Sequence, residues 1–175
     1  MDLRDWITVG DVEEVRKHLQ QGFDPNRHDV FGMSWLMWAA RSGHTEIVEL
    51  FVNHGADVNA KNEYDATALW YAAGRKTEMV TLLLENGAEL NGKDMFSRSP
   101  LTSAACEGKT DIVKLLLENG ADIEDNEYNM EVLTCTVRDI LEDAIQRRKQ
   151  LKMARYALLW HTNFHLAQEI ALRMN

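Results

Sequence analysis

Apolar side chains along this chain gather into stripes at helical spacing: Ile47, Val48, Leu50 and Phe51, then Met79, Val80, Leu82 and Leu83, then Ile112, Val113, Leu115 and Leu116. A pair of alanines precedes each stripe, Ala39-Ala40, Ala72-Ala73 and Ala104-Ala105, small helix-favouring residues placed where two helices must approach closely. Each stripe ends at Asn-Gly or His-Gly, where the glycine supplies the left-handed residue that closes a helix. A degenerate copy, VGDVEEVRKHLQQGFDPNRHD, starts at Val9. The closing glycines Gly22, Gly55, Gly87 and Gly120 are spaced 33, 32 and 33, and Leu36, Leu69, Leu101 and Leu133 are spaced 33, 32 and 32. A period kept by independent positions marks a repeat array.

One copy reads as a short helix, a turn, a second helix and a projecting finger. Alone it cannot bury its apolar face, whereas stacked copies can. The prediction is an all-α solenoid of stacked helix-turn-helix units with an extended helical C-terminal cap, and no sheet larger than a finger hairpin. The boundaries place an N-terminal capping repeat at 1–28, repeats at 29–61, 62–93 and 94–125, and a degenerate repeat with the cap at 126–175.

Over about residues 3–137 these motifs resemble the ankyrin repeat family. Its Asp-x-x-Gly opening is matched by Asp29 to Gly32, its Gly-His-x-Glu turn by Gly43-His44-Thr45-Glu46, and its Gly-Ala-Asp-Val-Asn closing by Gly55 to Asn59. The family's Thr-Pro-Leu-His is replaced by Ser34-Trp35-Leu36-Met37, Thr67-Ala68-Leu69-Trp70 and Ser99-Pro100-Leu101-Thr102. With the histidine that ties neighbouring loops missing from every copy, stacking is expected to lean more on apolar packing.

Lengths also depart from the pattern. Ala40 to Glu46 and Ala105 to Asp111 are six steps, but Ala73 to Glu78 is five, so the middle copy lacks one residue in its turn, Gly74-Arg75-Lys76-Thr77. Gly120 to Leu133 is thirteen steps where earlier copies show fourteen, which shortens the last finger. A local change of stacking angle is expected at each place. In the first copy Glu14 and Lys17 replace Ile47 and Leu50, a polar face expected to meet water. After Gly120 there is no Gly or Pro, and a helical stripe continues through Val132, Leu133, Val137, Ile140, Leu141, Ala144 and Ile145. A break is expected at His161-Thr162-Asn163, with Thr162 or Asn163 capping a last helix.

Composition narrows the function. The chain has 175 residues, 45% hydrophobic and 27% charged, and a net charge of −9, which argues against binding nucleic acid through its phosphates. Charge is uneven: residues 1–146 hold 13 basic and 27 acidic side chains, residues 147–175 hold 6 and 1. The opening MDLRDWITVGD lacks the apolar stretch of a leader, and no run is long enough to span a membrane. Two cysteines, Cys106 and Cys135, are too few for a disulfide framework, so a reducing, cytoplasmic location is expected.

No catalytic motif stands out. His161 and His165, four apart, have no acidic or thiol ligand nearby, and packing or solvent-facing roles are preferred over metal binding. The acidic run Asp122, Glu124, Asp125 and Glu127 lacks the glycine of a calcium loop. No metal or cofactor is expected. The basic segment Arg147, Arg148, Lys149, Lys152 and Arg155 reads as snorkelling cap surface, or as a docking site for an acidic partner, RNA or a membrane.

The expected function is a non-enzymatic module that sequesters, inhibits or scaffolds a protein partner. Alternatives are a dedicated inhibitor or immunity protein of one toxin or enzyme, and an enzyme or nucleic-acid or membrane binder using the basic cap. Monomer or heteromeric complex is expected, with a basic partner surface steered by the acidic chain. Phe31, Tyr64, Phe96 and Tyr128, spaced 33, 32 and 32, fall at one register position, the finger tip. The resemblance implies that finger positions contact the partner, here with Val30, Met33, Glu63, Met95 and Arg98 alongside. Such rings either brace adjacent fingers or touch the partner, and contact is preferred because interface hot spots favour aromatics beside Arg and Met. The concave helix face would extend the site through Trp38, Arg41, Tyr71, Arg75, Cys106 and Glu107, beside each alanine pair. Cys106 is otherwise expected to be an inert thiol.

Overall fold

The computed structural model describes residues 2–123 and 135–173. The chain divides into two compact units, Met1–Val137 and Arg138–Asn175.

In the first unit the helices come in pairs: α1 (Leu3–Val9) with α2 (Val12–Gln20), α3 (Trp35–Ser42) with α4 (Thr45–Asn53), α5 (Ala68–Ala72) with α6 (Thr77–Glu85), and α7 (Pro100–Cys106) with α8 (Thr110–Glu118). First helices pack on first helices, α1 on α3, α3 on α5 and α5 on α7, and second helices do likewise from α2 to α8. Two parallel rows result. Between them lie Leu36, Ile47, Phe51, Leu69, Met79, Leu83, Leu101, Ile112 and Leu116, all fully buried. Among the described residues there is no strand, and one isolated bridge pairs His28 with Ser34.

Local chemistry sets where each first helix starts. The Ser or Thr of the altered motif is its N-cap: Ser34 Oγ accepts from Met37 N at 3.2 Å, Thr67 Oγ1 from Trp70 N at 3.3 Å, and Ser99 Oγ from Thr102 N at 3.2 Å. Pro100 adds a preset φ at the first turn of α7. The missing residue of the middle copy comes out of α5, which has five residues against eight in α3 and seven in α7. Its neighbours follow with a left-handed glycine, Gly43 and Gly108, whereas α5 closes without one.

The expectation that stacking leans on apolar packing proves incomplete. Asn26 donates through Nδ2 to Gly55 O at 3.1 Å and accepts from Asp57 N. Asn59 does the same with Gly87 O at 2.9 Å and Glu89 N at 2.8 Å. Asn91 donates to Asp122 Oδ2 at 3.0 Å and accepts from Asp122 N at 2.9 Å. One asparagine per copy thus closes a reciprocal pair onto the next copy, a polar link between copies beside the apolar core. As expected, Lys17 is exposed and Glu14 half-buried, and the two form an ion pair that raises the Lys17 pKa.

Of the expected cap, residues 126–134 lie outside those described, and the shortened last finger falls there too. The backbone of α9 (Cys135–Arg173) is continuous, so the break expected at His161-Thr162-Asn163 does not occur. Thr and Asn cost a helix interior only about 0.7 kcal/mol each relative to Ala, and no Gly or Pro follows to enforce a stop. In the second unit Arg147 pairs with Asp143 at 2.6 Å, and Leu151 and Met153 are exposed. No helix among the described residues is long and apolar enough to cross a membrane.

Candidate partner-binding surface

Each of the three fingers among the described residues is built on one Asx residue. Asp29 Oδ1 accepts from Phe31 N at 2.9 Å and Met33 N at 3.0 Å, Asn62 Oδ1 from Tyr64 N at 2.9 Å and Ala66 N at 3.0 Å, and Asp94 Oδ1 from Phe96 N at 3.0 Å and Arg98 N at 2.8 Å. Such a side chain folds the backbone back on itself as an Asx turn. At the tip Gly32, Asp65 and Ser97 all take left-handed φ, at +69°, 56° and 61°. Only at the first is glycine also needed for space: a Cβ on Gly32 would lie 3.2 Å from the Glu63 nitrogen of the next finger.

Fingers are joined by main chain. Glu63 N donates to Phe31 O at 3.4 Å and Met95 N to Tyr64 O at 2.8 Å. The column residues therefore brace neighbouring fingers through their carbonyls and leave their rings outside, Phe31 57%, Tyr64 50% and Phe96 62% exposed. Among the described residues the ring-on-ring contacts are Phe23 with Trp35 and Trp70 with Tyr71, and none joins two rings of the column. Tyr128 lies outside the described residues.

In the first two of these fingers the second side-chain atom of the Asx residue reaches the row of first helices. Asp29 Oδ2 accepts from Trp38 Nε1 at 3.1 Å, and Asn62 Nδ2 donates to the Tyr71 hydroxyl at 3.0 Å. Both contacts span nine residues; the equivalent position in the third copy is Ser103, too short to reach. There Arg98 substitutes, giving Asp94 Oδ2 bonds from Nε at 2.8 Å and Nη2 at 2.7 Å. With Asp94 buried, Arg98 is fixed with its guanidinium carbon 5.1 Å from the Trp70 ring centre and 5.0 Å from that of Phe96. Trp38 is similarly faced by Arg4 at 5.9 Å and Arg41 at 5.3 Å.

Four expected residues, Arg41, Tyr71, Arg75 and Glu107, meet in a cavity of about 350 Å³ with Trp70, Gly74 and Ser103. It lies over the end of the short helix α5, between the end of α3 at Arg41 and the cap of α7 at Glu107. Val30 and Phe31 line a separate cavity of about 420 Å³ with Asp2, Arg4, His28, Asp29 and Trp35. Glu63 and Met95 are exposed beside the rings. Cys106 is exposed but does not line the first cavity.

One expected contact residue is corrected. Met33 is 5% exposed, turned inward on the return limb of the finger, where its sulfur accepts from Asn62 Nδ2 at 3.1 Å. Sequence reasoning also missed Trp70 and Arg4. Trp70 stands where the altered motif lost its histidine. Leu3 precedes Leu36 by 33, which puts Arg4 in the same register as Trp70 and was a usable signal. Among the described residues no group of three His, Cys, Asp or Glu could hold a metal ion.

Paired helices in two rows, closed by glycine and linked through fingers, define a stacked repeat array with an exposed finger edge. The chain belongs to the ankyrin repeat family: the model for ankyrin repeats in three copies matches residues 7–94, and that for a single ankyrin repeat matches 97–127. It is 38% identical over 69 residues to the integrin-linked protein kinase homolog pat-4 of Caenorhabditis elegans, covering 39% of this chain and 15% of that one. It is 36% identical over 56 residues to ankyrin repeat domain-containing protein 40 of Homo sapiens, covering 31% and 15%. An ankyrin repeat-containing protein of Schizosaccharomyces pombe is 32% identical over 66 residues, 37% of this chain and 32% of that one. The matched region thus spans less than a third of each of these relatives. Ankyrin repeats are in general protein–protein interaction modules, and no catalytic family is indicated.

Proposed function

We propose that this chain is a non-enzymatic module that holds a protein partner along the finger tips and the row of first helices, and thereby sequesters, inhibits or scaffolds it. The observation that carries the reading is the ring column. Phe31, Tyr64 and Phe96 stand in register and exposed, while main-chain bonds and the Asx side chains, buried at Asn62 and Asp94, make the links between and within fingers. Exposed aromatics on a preorganised edge lose little entropy on binding and supply large contact areas. Arg98, locked between Phe96 and Trp70, adds a second residue type common at interface hot spots.

The test is the triple change Phe31→Ala, Tyr64→Ala and Phe96→Ala in the full chain, with retention of proteins from host extract and melting temperature measured together. The expected result is loss of the proteins retained by the wild type, with melting moved by a few degrees at most. Retention unchanged at unchanged melting sinks the reading. A collapse in melting, with retention kept by the folded fraction, assigns the rings to the scaffold instead.

A further inference from the structure

Charge in the repeat unit is sorted by row. The second helices α4, α6 and α8 carry six carboxylates and one lysine, whereas α3, α5 and α7 carry a single charged side chain between them, Arg41. The net charge of −9 therefore says nothing about the groove over the first helices. There Arg41 and Arg75 are exposed and share one cavity, and neither is in an ion pair among the described residues. Arg98, by contrast, is neutralised by Asp94. The cavity's one carboxylate, Glu107, leaves it with an excess of positive charge, while Trp70, Tyr71 and the Ser103 hydroxyl give it apolar walls and a neutral donor.

We propose that this groove takes an acidic segment of a polypeptide, with carboxylates on Arg41 and Arg75 and neighbouring side chains against Trp70 and Tyr71. This rests on the partner-binding reading and replaces the basic partner that net charge alone implied. A guanidinium presents a planar fork of donors that matches a carboxylate, and two unpaired ones in one cavity set a charge requirement on the occupant. Glu107 and the acidic second row oppose a polyphosphate or an anionic membrane, whose charge is dense and extended. An acidic peptide can place isolated charges and keep its remaining side chains apolar.

The experiment pans a displayed random dodecamer peptide library on the full chain, then measures affinities of the enriched peptides. Enriched peptides are expected to carry a net negative charge and to bind more weakly as salt rises. Arg41→Gln with Arg75→Gln should weaken them roughly ten-fold or more, and Glu107→Gln should strengthen them about two-fold by removing a like charge. Melting of each variant shows that it is folded. Basic or neutral enriched peptides, no enrichment above background, or acidic binders indifferent to both variants overturn the proposal. So does a labelled duplex oligonucleotide or a phosphatidylserine vesicle that binds as tightly as the peptides and loses that binding in the arginine variant. If binding survives Arg41→Gln/Arg75→Gln but is lost in the triple ring variant, this proposal falls and the partner-binding reading stands. If it survives both, both fall.

Discussion

The two rows of helices share one period and one core yet present opposite surfaces. The second helices turn carboxylates outward, Glu46 and Glu49, Glu78 and Glu85, Asp111 and Glu118, all exposed. Of the first helices, α3, α5 and α7 turn outward aromatic, small and hydroxyl side chains, with Arg41 as their one charge. Whole-chain charge is an average over faces, and here it describes the row of second helices rather than the groove over the first. In a repeat array, charge is best counted by register position.

The largest expected effect lies where the rows meet and their difference vanishes. Phe51→Ala empties a fully buried site between the rows and should cost about 3–5 kcal/mol of unfolding free energy, read by denaturant titration. Next comes the asparagine seam. Asn59→Ala loses both bonds to the following copy and leaves Glu89 N to water, for an expected loss of about 1–2 kcal/mol. At the finger edge, Gly32→Ala forces a side chain into left-handed backbone and against Glu63 N, costing about 1 kcal/mol. The smallest effect sharpens the comparison most: Glu78→Lys with Glu85→Lys should shift stability by less than about 0.5 kcal/mol and leave acidic-peptide affinity within two-fold. A large change in that affinity would show that the two faces are not electrically separate.

The period, the helix pairs and the ring column were legible in the sequence because each depends on one residue type recurring at one spacing. Met33 was not, because its neighbours in an extended segment alternate between faces, and nothing local says which side is in. The asparagine seam was readable in principle, since Asn26, Asn59 and Asn91 keep the period, but an Asn-closing motif reads first as a turn residue. Trp70 was hidden because its register slot holds Met37 and Thr102 in the flanking copies, chemically unlike neighbours. The break expected near Thr162 failed because weak helix formers lower propensity without stopping a helix.

The five-residue helix α5 has a consequence for how this array can be re-engineered. Its copies are not interchangeable parts. Replacing the middle copy by either neighbour would import a longer first helix and a left-handed glycine, and with them three or two extra residues of helix where Gly74 and Arg75 now stand. Every buried position would find an acceptable occupant, so the graft would fold, yet the hollow at the end of α5 would be built over. Surface diversity in this chain is thus stored partly as length. A transplant that conserves the core can erase a recess that distinguishes the middle copy.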